Sequence, residues 1–525
     1  MKPIRLVTRS LVAGLLFASA ITASAQNNVL RIVPQANLTV LDPIWTSAYV
    51  TRDHGYLIYD TLFGSDARGS IKPQMVDKWS TSPDQLVWTF TLRPGLAFHD
   101  GRPVTSEDVT ASILRWSARD ATGALWRTFF SRFEVVDDKT FRIVYGKPFG
   151  LTLEAFGKSS GPCFIMPKRV ADTPASDQIK DYTGSGPYIF KADEFKPGER
   201  AVYVRNAKYV PRNEPPSGTA GGKNVYVDRL ELVIIRDPQT QLNALRAGEV
   251  DMIEQPAGEQ YATLRAMPDV RLLDMVPSGA MYTLRFNFLN APFSDVRLRR
   301  AAMLALGQEQ VLRTQVATPG LFQFCRSLYP CGTQYEDSNT GIFTGVANPG
   351  AARKLLEEAG YKGQPILLMR PTDFAALSKV PLVVKQQLEA AGFTVDLQNM
   401  DWQTLLARRA KRQPAAQGGW DAFITFSASA DNLNPVTMQM MNASGARGWF
   451  GWDDDATLEA IKRDFAAATS EADRHKFAEA AQLRAIDTVT HVNLGQFEQP
   501  AAVRSNVTGG VTAGANVFWG LHKGS

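Results

Sequence analysis

The stretch NPGAARKLLEEAGYKGQPILLMRPTDFAALSKVPLVVKQQLEAAGFTVDLQNMDWQTLLARRAKRQPAAQGGWDAFITFSASADNLNP, residues 348–435, decides the fold, because the period of its apolar residues switches repeatedly between helical and strand-like. Asn348-Pro349 predicts an N-cap with proline in the first turn. Ala352, Leu355, Leu356 and Ala359 share one helical face, and Gly360 stops the helix. Residues 365–370 predict a strand, residues from about 376 to 391 a helix closed by Gly392, and residues 394–398 a second strand. Asp401 caps a further helix through Leu405, Leu406 and Arg412, and residues 421–426 predict a third strand. Strands alternating with helices at this spacing predict βαβαβ units with a parallel sheet, an α/β architecture.

In open α/β sheets ligands bind beyond the carboxyl ends of the strands. Arg370 closes one predicted strand and Asp431 lies just past another, so a cation and an anion stand on the edge where a ligand belongs. A guanidinium forks to a carboxylate and a carboxylate accepts from an ammonium, so the pair suits a zwitterion. The plainer alternative is that both residues make structural salt bridges or cap backbone ends.

Outward from this stretch, residues 71–144 carry hairpin signals. Val87–Leu92 and Phe141–Tyr145 alternate, and Thr105-Ser-Glu-Asp108 reads as a capping box opening a helix through Ile113 and Trp116, so the region predicts a mixed α+β subdomain. Strands follow at residues 188–190, 201–204 and 230–235, with a Pro/Gly/Asn-rich surface loop at 211–224. Trp45, Tyr49, Tyr56 and Tyr59 cluster near the amino end, and Trp449, Phe450 and Trp452 in a glycine-containing loop. Such aromatics line ligand slots or pack cores.

The chain has 525 residues, room for about three domains, with 44% apolar and 21% charged residues, a globular composition. Its net charge is +5, of which Lys2, Arg5 and Arg9 supply three, so the rest is nearly balanced and offers no basic face for nucleic acid. Those three cations precede an apolar run from Leu11 to Phe17 and small residues at Ala23 and Ala25. This predicts a signal peptide over residues 1–25, cleaved after Ala25, and an exported mature protein. Cys325 and Cys331 flank a short Pro-containing loop where a disulfide can form in an oxidising compartment, the alternative being two free thiols, and Cys163 reads as a small buried side chain. Five scattered histidines show no metal-ligand spacing, so no metal and no cofactor is expected. Gly157-Lys-Ser-Ser-Gly161 formally matches a nucleophile elbow, but Pro162 follows at once and no strand-to-helix turn surrounds Ser159. Asp453-Asp-Asp455 lacks a calcium loop's spacing and reads as a helix cap. The Arg408–Arg412 run reads as cations at a helix carboxyl end.

Further segments, in order, are Leu41-Asp-Pro43, Trp88-Thr-Phe90, Leu92-Arg-Pro-Gly95, Phe98-His-Asp-Gly101, Thr183-Gly-Ser-Gly-Pro-Tyr188, residues 244–251, Pro292-Phe-Ser-Asp-Val-Arg297, residues 351–361 and Asp421. Together they resemble the periplasmic solute-binding proteins of ABC importers, in the family of dipeptide-, oligopeptide- and nickel-binding proteins, over nearly the whole mature chain. The resemblance implies a two-lobe, Venus-flytrap fold with an extra α+β subdomain inserted in the first lobe. On this chain lobe I maps to residues 26–66, 183–276 and 497–525, the inserted subdomain II to 67–182 and lobe III to 277–496, with hinge crossings near Pro277 and Gly495. It further implies a periplasmic monomer that does no bond-making chemistry, closes on a short peptide or peptide-like zwitterion, and presents it to an inner-membrane permease.

In dipeptide binders of that family an Arg-Pro step receives the peptide carboxylate and a later Asp the amino terminus. Arg370-Pro371 and Asp431 occupy those places, with Trp45, Tyr49 and Trp449 as aromatic candidates. Ala428 and Thr372 stand where aromatic residues often do, which leaves a modified peptide, sugar, opine or metal chelate open. An exported hydrolase of peptides or glycans, and a sensor docking to a chemoreceptor, are the alternatives of other classes.

Overall fold

The computed structural model describes residues 28–524, so the expected signal segment lies outside the described residues. Two large sheets organise the chain. The first has seven strands in the order Tyr188–Phe190, Arg200–Arg205, Arg229–Val233, Val29–Val33, Met252–Ile253, Ala501–Arg504, Val270–Leu273. Its middle strand, Val29–Val33, runs parallel to Arg229–Val233 and to Met252–Ile253. The second sheet has six strands in the order Phe322–Gln323, His491–Phe497, Ala280–Phe286, Ala422–Ala428, Ile366–Pro371, Val395–Met400. The bodies built on these sheets are lobe I and lobe III below.

The alternating stretch folds as its periods predict. Asn348 Oδ1 accepts from the Ala351 amide at 3.0 Å, Pro349 opens the helix Pro349–Ala359, and Gly360 ends it in the left-handed region. Asp401 caps the helix Trp402–Arg409, which stops before Arg412. Ile366–Pro371 lies parallel to Val395–Met400 and to Ala422–Ala428, but the whole sheet is mixed. Ala280–Phe286 runs antiparallel to Ala422–Ala428 and to His491–Phe497. A local pattern sets crossover-linked strands, whereas these two partners come from distant parts of the chain. The helix expected from about 376 begins at Val380. Pro381, which has no N–H to give, belongs in its first turn, and the preceding residues become a loop.

Between the lobe I strands Val29–Val33 and Tyr188–Phe190 in sequence lies a separate four-stranded antiparallel sheet, in the order Val76–Thr81, Val87–Leu92, Thr140–Tyr145, Phe130–Val135. The helix Ser106–Ser117 packs beside it under a complete capping box of Thr105 and Asp108. Cys325 and Cys331 are bridged, with Cα atoms 5.7 Å apart, and Cys163 is free and buried.

The chain passes between the two large sheets over residues 274–279 and again over 498–500. Pro277 lies in the first passage. Gly495 sits inside the strand His491–Phe497, so the second passage begins three residues later. The passages touch: a Cβ on Gly279, whose φ is +64°, would lie 2.1 Å from the Phe497 carbonyl oxygen.

Candidate functional site

Five strand ends converge on one cleft of about 150 Å³. From lobe I come residues 34–37, which follow Val29–Val33, residues 234–236, which follow Arg229–Val233, and Gln255 just past Met252–Ile253. From lobe III come Asp373–Ala376, after Ile366–Pro371, and Asp401–Gln403, after Val395–Met400. The loop between the strand Ile366–Pro371 and the Val380 helix supplies Phe374, whose ring centroid is 4.9 Å from that of Trp402. The aromatic wall continues inward from Phe374 to Phe426 at 5.9 Å and from Phe426 to Tyr49 at 6.0 Å.

At the inner end of this wall the lobes meet through charged groups. Tyr49 and Arg52 stand on the lobe I helix Tyr49–Ile58, and Asp431 follows the lobe III strand Ala422–Ala428. The Tyr49 hydroxyl donates to Asp431 Oδ2 at 2.5 Å and accepts from the Ala428 amide at 2.6 Å. Arg52 lies over the Tyr49 ring, 4.2 Å from its centroid, with Nη1 3.6 Å from Asp431 Oδ1 and Nε 3.6 Å from Asp53 Oδ1. Burial, then Asp431, pushes the Tyr49 hydroxyl well above its ordinary pKa, so it stays a donor. Burial works against the charge of Arg52, but Asp53 and Asp431 hold its pKa above the usual value.

Behind Arg52, Glu254 accepts from the Gln35 amide at 2.8 Å and from Asn516. Burial raises both Asp53 and Glu254. Asp53 is raised further by Glu254, so this adjacent pair holds a proton more readily than free carboxyls do. Several buried polar atoms here have no hydrogen-bond partner among the described residues: Gln35 Nε2, Asn37 Oδ1, Arg52 Nε and Nη1, both Asp53 oxygens, Gln255 Oε1 and Asp431 Oδ1. Buried polar groups are almost always paired in native proteins, so this concentration marks a place built to take a polar guest or water.

The expected site residues fall into three groups. Asp431 and Tyr49 come together, and Asp431, expected as a receiver of a solute ammonium, faces Tyr49 and Arg52 instead of open cleft. The strand-end rule placed it on the right edge and could not foresee the helix that packs over it. Arg370 is half-buried and turned along its own lobe. Its Nε donates to the Ser378 carbonyl at 2.7 Å and its Nη1 to Asn399 Oδ1 at 3.2 Å, and among the described residues it has no carboxylate partner.

Trp45 and Trp449 do not join the site. Trp45 Nε1 donates to the Ser176 carbonyl at 3.2 Å, and Arg119 covers its ring. Trp449 packs with Phe423 and Phe450 in an apolar cluster with Trp420 and Trp452. Phe423 and Phe426 are an odd number of positions apart on one strand, so they point to opposite faces, and Trp449 lies on the far one.

Arg52, Asp53, Gln35 and Glu254 carry no sequence motif. The available signal was an Arg-Asp pair embedded in the helix Tyr49–Ile58, which is otherwise apolar or small on most sides and buried along most of its length. The Gly157–Gly161 segment follows a short helix, Thr152–Gly157, and Lys158 ties it to Asp120 at 2.9 Å, a structural turn.

Comparison with known proteins adds to this geometry. Residues 70–449 match the family model described as bacterial extracellular solute-binding proteins, family 5. A probable peptide ABC transporter periplasmic-binding protein of Sinorhizobium fredii is 37% identical over 505 residues, covering 96% of this chain and 94% of that one. Among solved structures, the periplasmic binding protein DppA of Helicobacter pylori in complex with the peptide STSA superposes with a TM-score of 0.80 at 20% identity, over 95% of this chain and 98% of that one. AgaA of A. tumefaciens R10 in complex with agropinic acid superposes with a TM-score of 0.77 at 22% identity, over 95% and 99%. These likenesses fix the two-lobe fold.

Proposed function

The chain belongs to the bacterial extracellular solute-binding proteins, family 5, and from that premise we propose that it is the periplasmic solute-binding component of an ABC importer, capturing a short peptide or peptide-like solute between lobes I and III. The family consists of binding proteins, and among the described residues no helix is long and apolar enough to cross a membrane. The observation that carries the reading is the convergence of five strand ends from two sheets on one cleft, with an aromatic wall leading to unpartnered buried polar atoms.

In this reading Arg370 receives the carboxylate of the solute. Among the described residues one of its terminal nitrogens makes no hydrogen bond, and a charged hydrogen bond from it is worth roughly 1.5–3 kcal/mol. Residues 274–279 and 498–500 are the two hinge crossings, the closed monomer presents both lobes to a permease, and the guest leaves chemically unaltered.

The test is a thermal-shift screen of refolded, solute-stripped protein over dipeptides, longer peptides, opines, sugars and metal chelates. A stoichiometric stabiliser recovered unchanged is the expected result. Turnover of any stabiliser would replace the reading with the hydrolase. Arg370→Ala is expected to weaken the stabiliser at least about 10-fold, and unchanged affinity would remove Arg370 from the site.

A further inference from the structure

Resting on the solute-binding reading, we propose that Tyr49 and Arg52 neutralise Asp431 from within the same chain, so that this carboxylate clasps the two lobes and solute recognition does not require a free amino group.

An aspartate beyond a strand end at a lobe junction is by its chemistry a receiver for a cationic group. Here both of its oxygens already face groups of the same chain. Oδ2 takes the Tyr49 hydroxyl, Oδ1 faces the Arg52 guanidinium, and only 7% of the residue is exposed. Arg52 is itself fixed, by the Tyr49 ring beneath it and by Asp53 on its other side. A solute ammonium brought to Asp431 would have to displace the tyrosine hydroxyl and sit beside a guanidinium in a poorly screened interior, where like charges repel strongly.

The same contacts give the protein a closing interaction of its own. The helix Tyr49–Ile58 belongs to lobe I, while Ala428 and Asp431 belong to lobe III. Tyr49 makes two hydrogen bonds across the junction, and its ring continues the aromatic wall through Phe426. In a binder whose lobes are joined through a solute ammonium, the bridge arrives with the guest. Here one bridge is resident, and the guest engages the rest of the cleft, where Gln35, Asn37 and Gln255 present amide groups that pair with carbonyls, hydroxyls and substituted nitrogens alike. Of the other acidic groups, Asp53 and Glu254 lie on the lobe I side of Arg52, with Glu254 held by Gln35 and Asn516, while Asp373 and Asp401 in the cleft wall accept from the Trp402 amide and from Thr404.

Two measurements on the full mature chain test this. The first is small-angle scattering of solute-stripped wild type, Tyr49→Phe and Arg52→Met, with circular dichroism to establish that each variant is folded. Tyr49→Phe removes one hydroxyl and is the milder change. The wild type is expected to scatter as a closed two-lobe particle, with both variants expanded. Identical scattering from all three overturns the clasp. The second is binding of the dipeptide Ala-Phe and of N-acetyl-Ala-Phe. Wild type is expected to bind the two within about threefold of each other, and Arg52→Met, which frees Asp431, to prefer the free amine by about tenfold or more. A tenfold loss on acetylation in the wild type, or no preference in Arg52→Met, overturns the proposal. If neither peptide binds, scattering alone decides. A protein that closes through Tyr49 and Arg52 yet takes no solute of any class keeps the clasp and loses the solute-binding reading.

Discussion

Two buried ion pairs with different degrees of satisfaction divide the labour between stability and lobe closure. Asp60 and Lys223 are both fully shielded and 2.6 Å apart. Every oxygen of Asp60 is spent, Oδ1 on Lys223 and the Thr61 amide and Oδ2 on the Tyr209 hydroxyl at 2.8 Å. Burial pushes this carboxyl up, but Lys223 and Arg93 more than reverse it and hold Asp60 below the usual range. Asp431 is about as buried, yet its Oδ1 has no hydrogen-bond partner and Arg52 stands off at 3.6 Å.

Removing one member of a saturated buried pair costs about 3–5 kcal/mol, because the other is left charged and alone. Lys223→Met is therefore expected to lose that much in urea unfolding at neutral pH. Arg52→Met is expected to lose less, since Asp53 and Glu254 beside it already favour holding a proton. Equal losses in the two variants would contradict this division. The same contrast explains what could be read from the chain. Asp431 was legible from its place after a strand and Tyr49 from its aromatic neighbours. Their pairing spans 382 positions, and no local period encodes a partner so distant.

At the scale of elements, the alternating stretch was legible because each of its caps and stops is a local chemical event: Asn348 and Asp401 accept from amides three residues on, and Pro381 fixes where its helix begins. The antiparallel half of the lobe III sheet was not legible, because Ala280–Phe286 and His491–Phe497 are paired by tertiary packing. Packing likewise fixes the passages between lobes. Gly279 combines a positive φ with a carbonyl in contact, so Gly279→Ala is expected to cost at least about 1–2 kcal/mol. A melting temperature equal to wild type would show that the passages tolerate a side chain there. The bridged loop Cys325–Cys331 is pinned to the helix Glu471–Thr488, where Gln482 Oε1 accepts from the Leu328 amide at 2.8 Å. Its ring is small, so Cys325→Ser with Cys331→Ser is expected to lose only about 2 kcal/mol, measured by denaturant unfolding with and without reductant.

Over the whole molecule, buried ionisable groups of opposite sign shape how stability depends on pH. His54 in lobe I and His491 in lobe III are both buried, and burial pushes each down to about 3, with Arg285 adding to the effect at His491. Their unfolded forms titrate near 6.5, so the unfolded chain takes up protons first as the solution is acidified. The stability each confers is whole above that value and is lost as pH falls toward about 3. At pH 5 the loss is about 2 kcal/mol for each histidine. Asp421, 3% exposed, has the opposite sign: burial raises it to about 6, although the Leu367 amide at 2.8 Å works against this. The folded form then holds the proton more tightly, and as pH rises through about 6 the protein bears a cost of roughly 3 kcal/mol. Two substitutions separate these contributions in urea unfolding at pH 7, pH 5 and pH 4. His491→Gln is expected to shrink the acid-side loss by about 2 kcal/mol relative to wild type. Asp421→Asn, which keeps an acceptor for Leu367, is expected to gain on wild type as pH rises from 4 to 7. A His491→Gln profile parallel to wild type would mean that the imidazole is charged inside the fold. An Asp421→Asn profile parallel to wild type would mean that this carboxyl ionises at its ordinary value despite its burial.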